Sequence, residues 1–97
     1  MSKAYRVLYS FEAAEDLRQI HAYIEQLSPQ DAAGMFRRLL SAIDNLSLLP
    51  YRYPLRPVPG RPDVRSMPVR PYRVVYEVLE RLQAVRVLTV RHGSRRS

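Results

Sequence analysis

Cysteine is absent from this 97-residue chain, which excludes both a disulfide framework and a thiolate metal site. Histidine occurs only at His21 and His92, too far apart for metal-ligand spacing, so the residues imply neither a metal nor another cofactor. No apolar run approaches membrane-spanning length, and the N-terminus has no signal-like apolar core. A cytoplasmic protein with no membrane partner is therefore expected. Lysine is nearly missing as well: Lys3 stands alone, and every other basic residue is arginine. Arginine presents a planar fork suited to carboxylate and phosphate, but it does not donate its proton near neutral pH.

The length predicts one domain over residues 1–97, near the lower end of what buries a self-sufficient core. An apolar share of 46% fits a globular chain rather than a disordered one. Acids become scarce toward the C-terminus. Residues 1–60 hold seven Lys/Arg against six acids, whereas residues 61–97 hold nine arginines against Asp63, Glu77 and Glu80. The second segment thus carries +6 of the net +7, a footprint for an acidic partner, either nucleic acid or an acidic protein segment. Simple solubility, or a base composition favouring arginine codons, is the alternative.

Residues 4–9 form a first strand-like run, and Ser10 then caps a helix with Glu12, Glu15 and Asp16 near its positive end. Ala13, Leu17, Ile20, Ile24 and Leu27 follow the spacing of a buried stripe. Ser28-Pro29-Gln30-Asp31 restarts the chain as a second helix, with the stripe Ala32, Phe36, Leu39, Leu40, Ile43 and Leu46, ended by Pro50. So short a connection predicts an antiparallel helical hairpin. His21 reads as a helix-flank residue. Prolines at 50, 54, 57, 59 and 62 forbid helix or central strand, leaving a stiff extended segment. A rigid crossover from helices to sheet explains it better than a nucleic-acid-touching loop of Tyr and Arg.

Three strands are predicted, over about 64–69, 72–79 and 84–92, with Pro68 and Pro71 keeping the first at an edge. The order β-α-α-β-β-β gives an α+β fold: a mostly antiparallel four-stranded sheet with the hairpin on one face. Period-two alternation puts Arg73, Val75 and Glu77 opposite to Val74, Tyr76 and Val78. Carried along the last strand, it groups Val85, Val87, Thr89 and Arg91 on one side and Arg86, Leu88, Val90 and His92 on the other. On the open face, Arg73 with Arg65, Arg91, His92, Arg95 and Arg96 would form a concave basic patch able to hold a phosphodiester. His92 is the natural acid/base candidate, having an unperturbed pKa near neutrality. The plainer alternative pairs Arg73 with Glu77 on the same face and leaves His92 as a strand end.

The ordered set Ser10, Ala14, Asp16-Leu17, Ile20, Tyr23-Ile24, then Ala32, Leu39, Ile43, Leu46, Pro50, then Arg65, Val69 and Tyr72-Arg73-Val74-Val75-Tyr76-Glu77-Val78, and finally Val87-Leu88-Thr89-Val90-Arg91-His92-Gly93 with Arg95 resembles the RelE/ParE superfamily of bacterial type II toxin–antitoxin toxins. The resemblance spans nearly the whole chain. It implies a growth-inhibiting toxin silenced by a cognate antitoxin. RelE-like members cleave mRNA in the ribosomal A site without a metal, whereas ParE-like members inhibit DNA gyrase and are not enzymes in that sense. Arg73 matches the arginine of the Tyr-Arg-x-x-Tyr segment that is catalytic in the RelE branch, and His92 lies near a functional His of some RNA-cleaving relatives. Arg65, Arg91, Arg95 and Arg96 would bind RNA or another target. Departures from the RelE pattern are the missing lysine pair beside Arg65 and the missing late tyrosine; the long second helix and Arg-His-Gly ending look more like ParE. The resemblance leaves both branches open, along with a non-toxic, antitoxin-binding co-repressor of a decayed module.

Overall fold

Ser10 stands where the first strand-like run meets the first helical stripe, and its side chain serves both. The computed structural model describes residues 4–27 and 29–93. It runs β1 (Arg6–Tyr9), α1 (Phe11–Leu27), α2 (Pro29–Asp44), β2 (Val64–Val69), β3 (Tyr72–Leu79) and β4 (Ala84–His92). The expected cap at Ser28 and the basic residues Arg95 and Arg96 lie outside the described residues. Ser10 Oγ accepts the Ala13 N–H at 2.9 Å, the side-chain cap expected at the start of α1. The four strands form one sheet in the order β1-β4-β3-β2, with β1 parallel to β4 and the other pairs antiparallel.

The helical hairpin covers one face of this sheet. Ala13 and Leu17 of α1, Leu39 and Ile43 of α2 and Leu46 just beyond it meet Met67, Val69, Tyr72, Val74, Tyr76, Val78, Val85, Val87 and Val90. Fully burying a side chain of Val or Leu size contributes about 1.5–3 kcal/mol, so this layer holds the fold together. Ile20, Ile24, Phe36 and Leu40 are partly buried at its margin. Leu27, predicted in the stripe, is exposed at the helix end. His21 lies edge-on to Phe36 at 4.8 Å between ring centres, packing one helix against the other. No helix among the described residues is long and apolar enough to cross a membrane.

The proline-rich segment is a crossover, as expected, and also a strap along the outer edge of β2. Leu55 bridges Arg65, the Arg56 N–H donates to Val64 O at 2.7 Å, and the Ser66 N–H donates to Pro54 O at 3.2 Å. The next outward position is Pro68, which has no N–H to offer. Several of the backbone groups that would invite another strand are thereby occupied or absent. Tyr76, fully buried, anchors the strap by donating its hydroxyl to Pro50 O at 2.7 Å.

At the other side of the sheet, β1 stops at Tyr9 while β4 continues to His92. Side chains and backbone at the start of α1 take over from the missing strand. The Ser10 N–H donates to Val87 O at 2.9 Å, Ser10 Oγ donates to Leu88 O at 2.9 Å, and Asp16 Oδ2 accepts the Val90 N–H at 2.9 Å. In this stretch Tyr76 faces Val87 but Val75 faces Thr89, so Leu88 is an extra residue in β4. Such a bulge shifts the alternation by one. Val90 and His92 therefore join Val85 and Val87 on the helix-covered face, and Thr89 and Arg91 join Arg86 on the other. The unbroken alternation expected for β4 holds only up to Val87.

Replacing Ser10 by Ala removes a helix cap and a bond to β4 together. The expected cost is about 1–2 kcal/mol in urea unfolding, with the same fold in the far-UV spectrum.

Candidate functional site

Strand register arranges the uncovered face in cross-strand rows. Pro68, Arg73 and Arg91 form one row, Ser66, Val75 and Thr89 the next, and Val64, Glu77 and Arg86 a third. Arg73 and Arg91 are thus direct cross-strand partners, although like charges at such positions disfavour the sheet. Arg73 is exposed, and its Nη1 donates to Ser66 Oγ at 3.0 Å, a diagonal neighbour on the same face. Arg91 turns the other way. Its Nε donates to Asp16 Oδ2 at 3.3 Å and its Nη2 to Glu12 Oε2, both on α1.

Glu77 is buried and does not pair with Arg73. Its Oε1 accepts from Arg86 Nη2 at 2.7 Å and from Arg61 Nη1 at 3.4 Å. Of the arginines Arg61, Arg73, Arg86 and Arg91, Arg73 is then the one with no carboxylate contact among the described residues. An exposed guanidinium steadied by a hydroxyl can take a carboxylate or a phosphate through a charge-assisted bidentate bond.

The single basic patch expected from the sequence divides between two faces. Arg73 and Arg91 share the uncovered face. Arg65, register partner of Tyr76, lies on the other and is built into the strap. It donates to Tyr53 O at 2.8 Å and Tyr51 O at 3.3 Å, pairs with Asp63 at 3.1 Å, and sits 5.0 Å from the Tyr51 ring centre. His92 is the register partner of Tyr72 and packs edge-on to its ring at 5.8 Å, on the helix-covered face. The bulge at Leu88 sends it there. No group of three or more His, Cys, Asp or Glu able to hold a metal occurs among the described residues.

Ser66, Glu12 and Asp16 join the site without standing among the candidates that the sequence pattern gives. The signal for Ser66 is its distance from Arg73 across the tight connection at Arg70-Pro71, which puts both on one face. Glu12 and Asp16 read as helix-start acids, and their reach to Arg91 depends on where β1 ends. The strap has a second anchor at Glu80. Its carboxyl is held below the usual range by hydrogen bonds from Tyr51, Tyr5 and Gln83, those from Tyr5 and Gln83 each 2.7 Å long.

The family model described as the ParE toxin of type II toxin–antitoxin systems, parDE, matches residues 5–97. A chain of the chromosomal ParDE toxin–antitoxin system of P. aeruginosa shares the fold at a TM-score of 0.75 and 19% identity, over 94% of this chain and 98% of that one. The isolated E. coli RelE toxin gives 0.66 at 21% identity, over 97% and 89% respectively. The RelBE2 toxin–antitoxin complex of M. tuberculosis gives 0.59 at 25% identity, over 92% and 98%. No curated protein matches the chain.

The two faces predict opposite outcomes for two arginines. Arg65→Ala should cost about 2–3 kcal/mol in denaturant unfolding, whereas Arg73→Ala should stay within about 0.5 kcal/mol of the parent. Alkali provides a separate test. Burial pushes the Tyr76 phenol from 10.0 to about 12, with Arg65 opposing the shift. Folding therefore favours the neutral phenol, and its contribution is complete below pH 10 and is lost as pH rises toward about 12. Tyr76→Phe should flatten the fall in thermal stability across that window.

Proposed function

The chain belongs to the ParE toxin family of type II toxin–antitoxin systems, within the RelE/ParE superfamily, and from that premise we propose that it stops growth by binding DNA gyrase. In this reading it is a single-domain cytoplasmic toxin that works by occupation rather than catalysis. The observation that supports it is the separation of Arg73 from His92 by the thickness of the sheet. Cutting RNA without a metal needs a group to accept the 2′-hydroxyl proton and another to protonate the leaving oxygen. Around Arg73, the carboxylates of Glu77, Glu12 and Asp16 are engaged by arginines, and arginine itself holds its proton. An exposed arginine on a firm sheet is a common anchor of a protein interface.

A cognate antitoxin is the second partner proposed. The RelBE2 relative is a toxin–antitoxin complex, and the shared fold supports the same association here. Antitoxin covering Arg73 would neutralise by competing with the target. Charge favours that arrangement, because the arginine-rich C-terminal segment attracts an acidic chain.

Induction in bacteria lacking antitoxin, followed by labelling of new DNA and new protein, tests the reading. DNA synthesis should fail first, and purified protein should inhibit gyrase supercoiling. Arg73→Ala should raise the amount needed for half-inhibition at least about tenfold, the loss expected of one charge-assisted anchor. His92→Ala should change it less than about twofold, as expected of a side chain outside the contact. Protein synthesis failing first, with mRNA cut on ribosomes and His92→Ala inactive, would establish the RNA-cleaving alternative instead.

A further inference from the structure

Arg91 sits directly across from Arg73, yet its guanidinium is drawn sideways over the position that β1 vacates, onto two carboxylates of α1. The two acids are not equivalent. Asp16 is well covered, and its Oδ2 also holds the Val90 N–H, so it belongs to the sheet edge. Glu12 is more than half exposed, and Arg91 is the one partner its carboxylate has among the described residues. Exposed ion pairs of this kind are weak and exchange readily with solvent or with another anion.

We propose that Glu12 is a releasable counter-ion, holding Arg91 away from Arg73 until the carboxylate of an acidic protein partner replaces it. Arg73 and Arg91 then grip that partner together. The inference rests on the reading of the uncovered face as a binding surface. A carboxylate is the expected occupant because one already fills the position, and the exchange leaves the charge around Arg91 unchanged. Without release, Arg73 and the Ser66 hydroxyl offer one contact; with it, two guanidiniums on adjacent strands face the same group. The cross-strand repulsion between them is relieved by the incoming anion.

Glu12 also stands in the first turn of α1, where any acid complements the helix dipole. Glu12→Asp keeps that benefit but shortens the reach to Arg91, so it separates the two roles. Glu15→Gln removes the same unit of charge from the same helix, where Glu15 pairs with Arg18, and serves as the control.

The experiment measures binding of a hexaglutamate peptide, and of inorganic pyrophosphate, to the folded full chain at low salt. Glu12→Gln and Glu12→Asp should each tighten hexaglutamate binding roughly three- to fivefold, the scale of one exposed ion pair, and Glu15→Gln less than twofold. Adding Arg91→Gln to Glu12→Gln should cancel the gain. Equal effects of Glu12→Gln and Glu15→Gln, or a gain that survives loss of Arg91, would overturn the gate. A gain for pyrophosphate without one for hexaglutamate would overturn the carboxylate as occupant. The supercoiling assay on Arg73→Ala keeps the two ideas apart. Its loss of inhibition with no Glu12 effect sinks the gate alone; retained inhibition with a clear Glu12 effect sinks the target reading alone.

Discussion

Beyond Tyr9, β4 loses its parallel neighbour while its own backbone runs on to His92, and the groups left facing that gap must be met. Ser10 and Asp16 meet them from α1, at Leu88 O and the Val90 N–H. This substitution of helix-borne groups for a strand positions α1 over the sheet, so that Ala13 and Leu17 reach the core beside Val87 and Val90. It also coincides with the extra residue at Leu88. The phase of everything after that point follows. Arg91 comes out beside Arg73, and His92 goes under the helices.

The same edge decides the electrostatics. A cross-strand arginine pair is tolerable because α1, running along the vacated edge, offers Asp16 and Glu12 to one member. Two strands away, Glu77 does the corresponding service for Arg86 and Arg61. Arg61, Arg86 and Arg91 are thus matched locally by carboxylates, and Arg73 is not. Net charge alone describes a diffuse basic surface, whereas register and pairing pick out Arg73 as a guanidinium beside a hydroxyl, opposite a second arginine and with no carboxylate contact among the described residues.

Much of this was readable in the sequence. The three C-terminal strands have the predicted limits because Pro, Gly and turn residues punctuate runs of β-branched and aromatic side chains. Ser10 caps as its type and place suggest. The bulge was not readable: Leu88 and Thr89 satisfy an alternating pattern in either phase, and the cause of the shift lies on α1. The face that Arg65 takes was not readable either: Val64, Ser66 and Met67 around it are all buried, so the strand offers no polar side for alternation to follow. The partners of Arg65 are strap carbonyls at Tyr51 and Tyr53, which strand periodicity does not reveal. The four candidates Arg65, Arg73, Arg91 and His92 are close in the sheet, and the side of the sheet separates them.

That separation allows function to be argued from what the fold can do without. Arg65 closes the strap, and Asp16 closes the sheet edge, so each has a structural reason to be what it is. Arg73 has none of comparable weight. Its one side-chain bond among the described residues, to Ser66, is replaceable by water at an exposed site, and a guanidinium opposite Arg91 is a poorer cross-strand partner than a neutral β-branched residue would be. A side chain that costs the sheet something and gives it little is best explained by a contact made outside the chain. The strap strengthens the point, because it fills the β2 edge and leaves the face around Arg73 as the rigid surface presented to a partner.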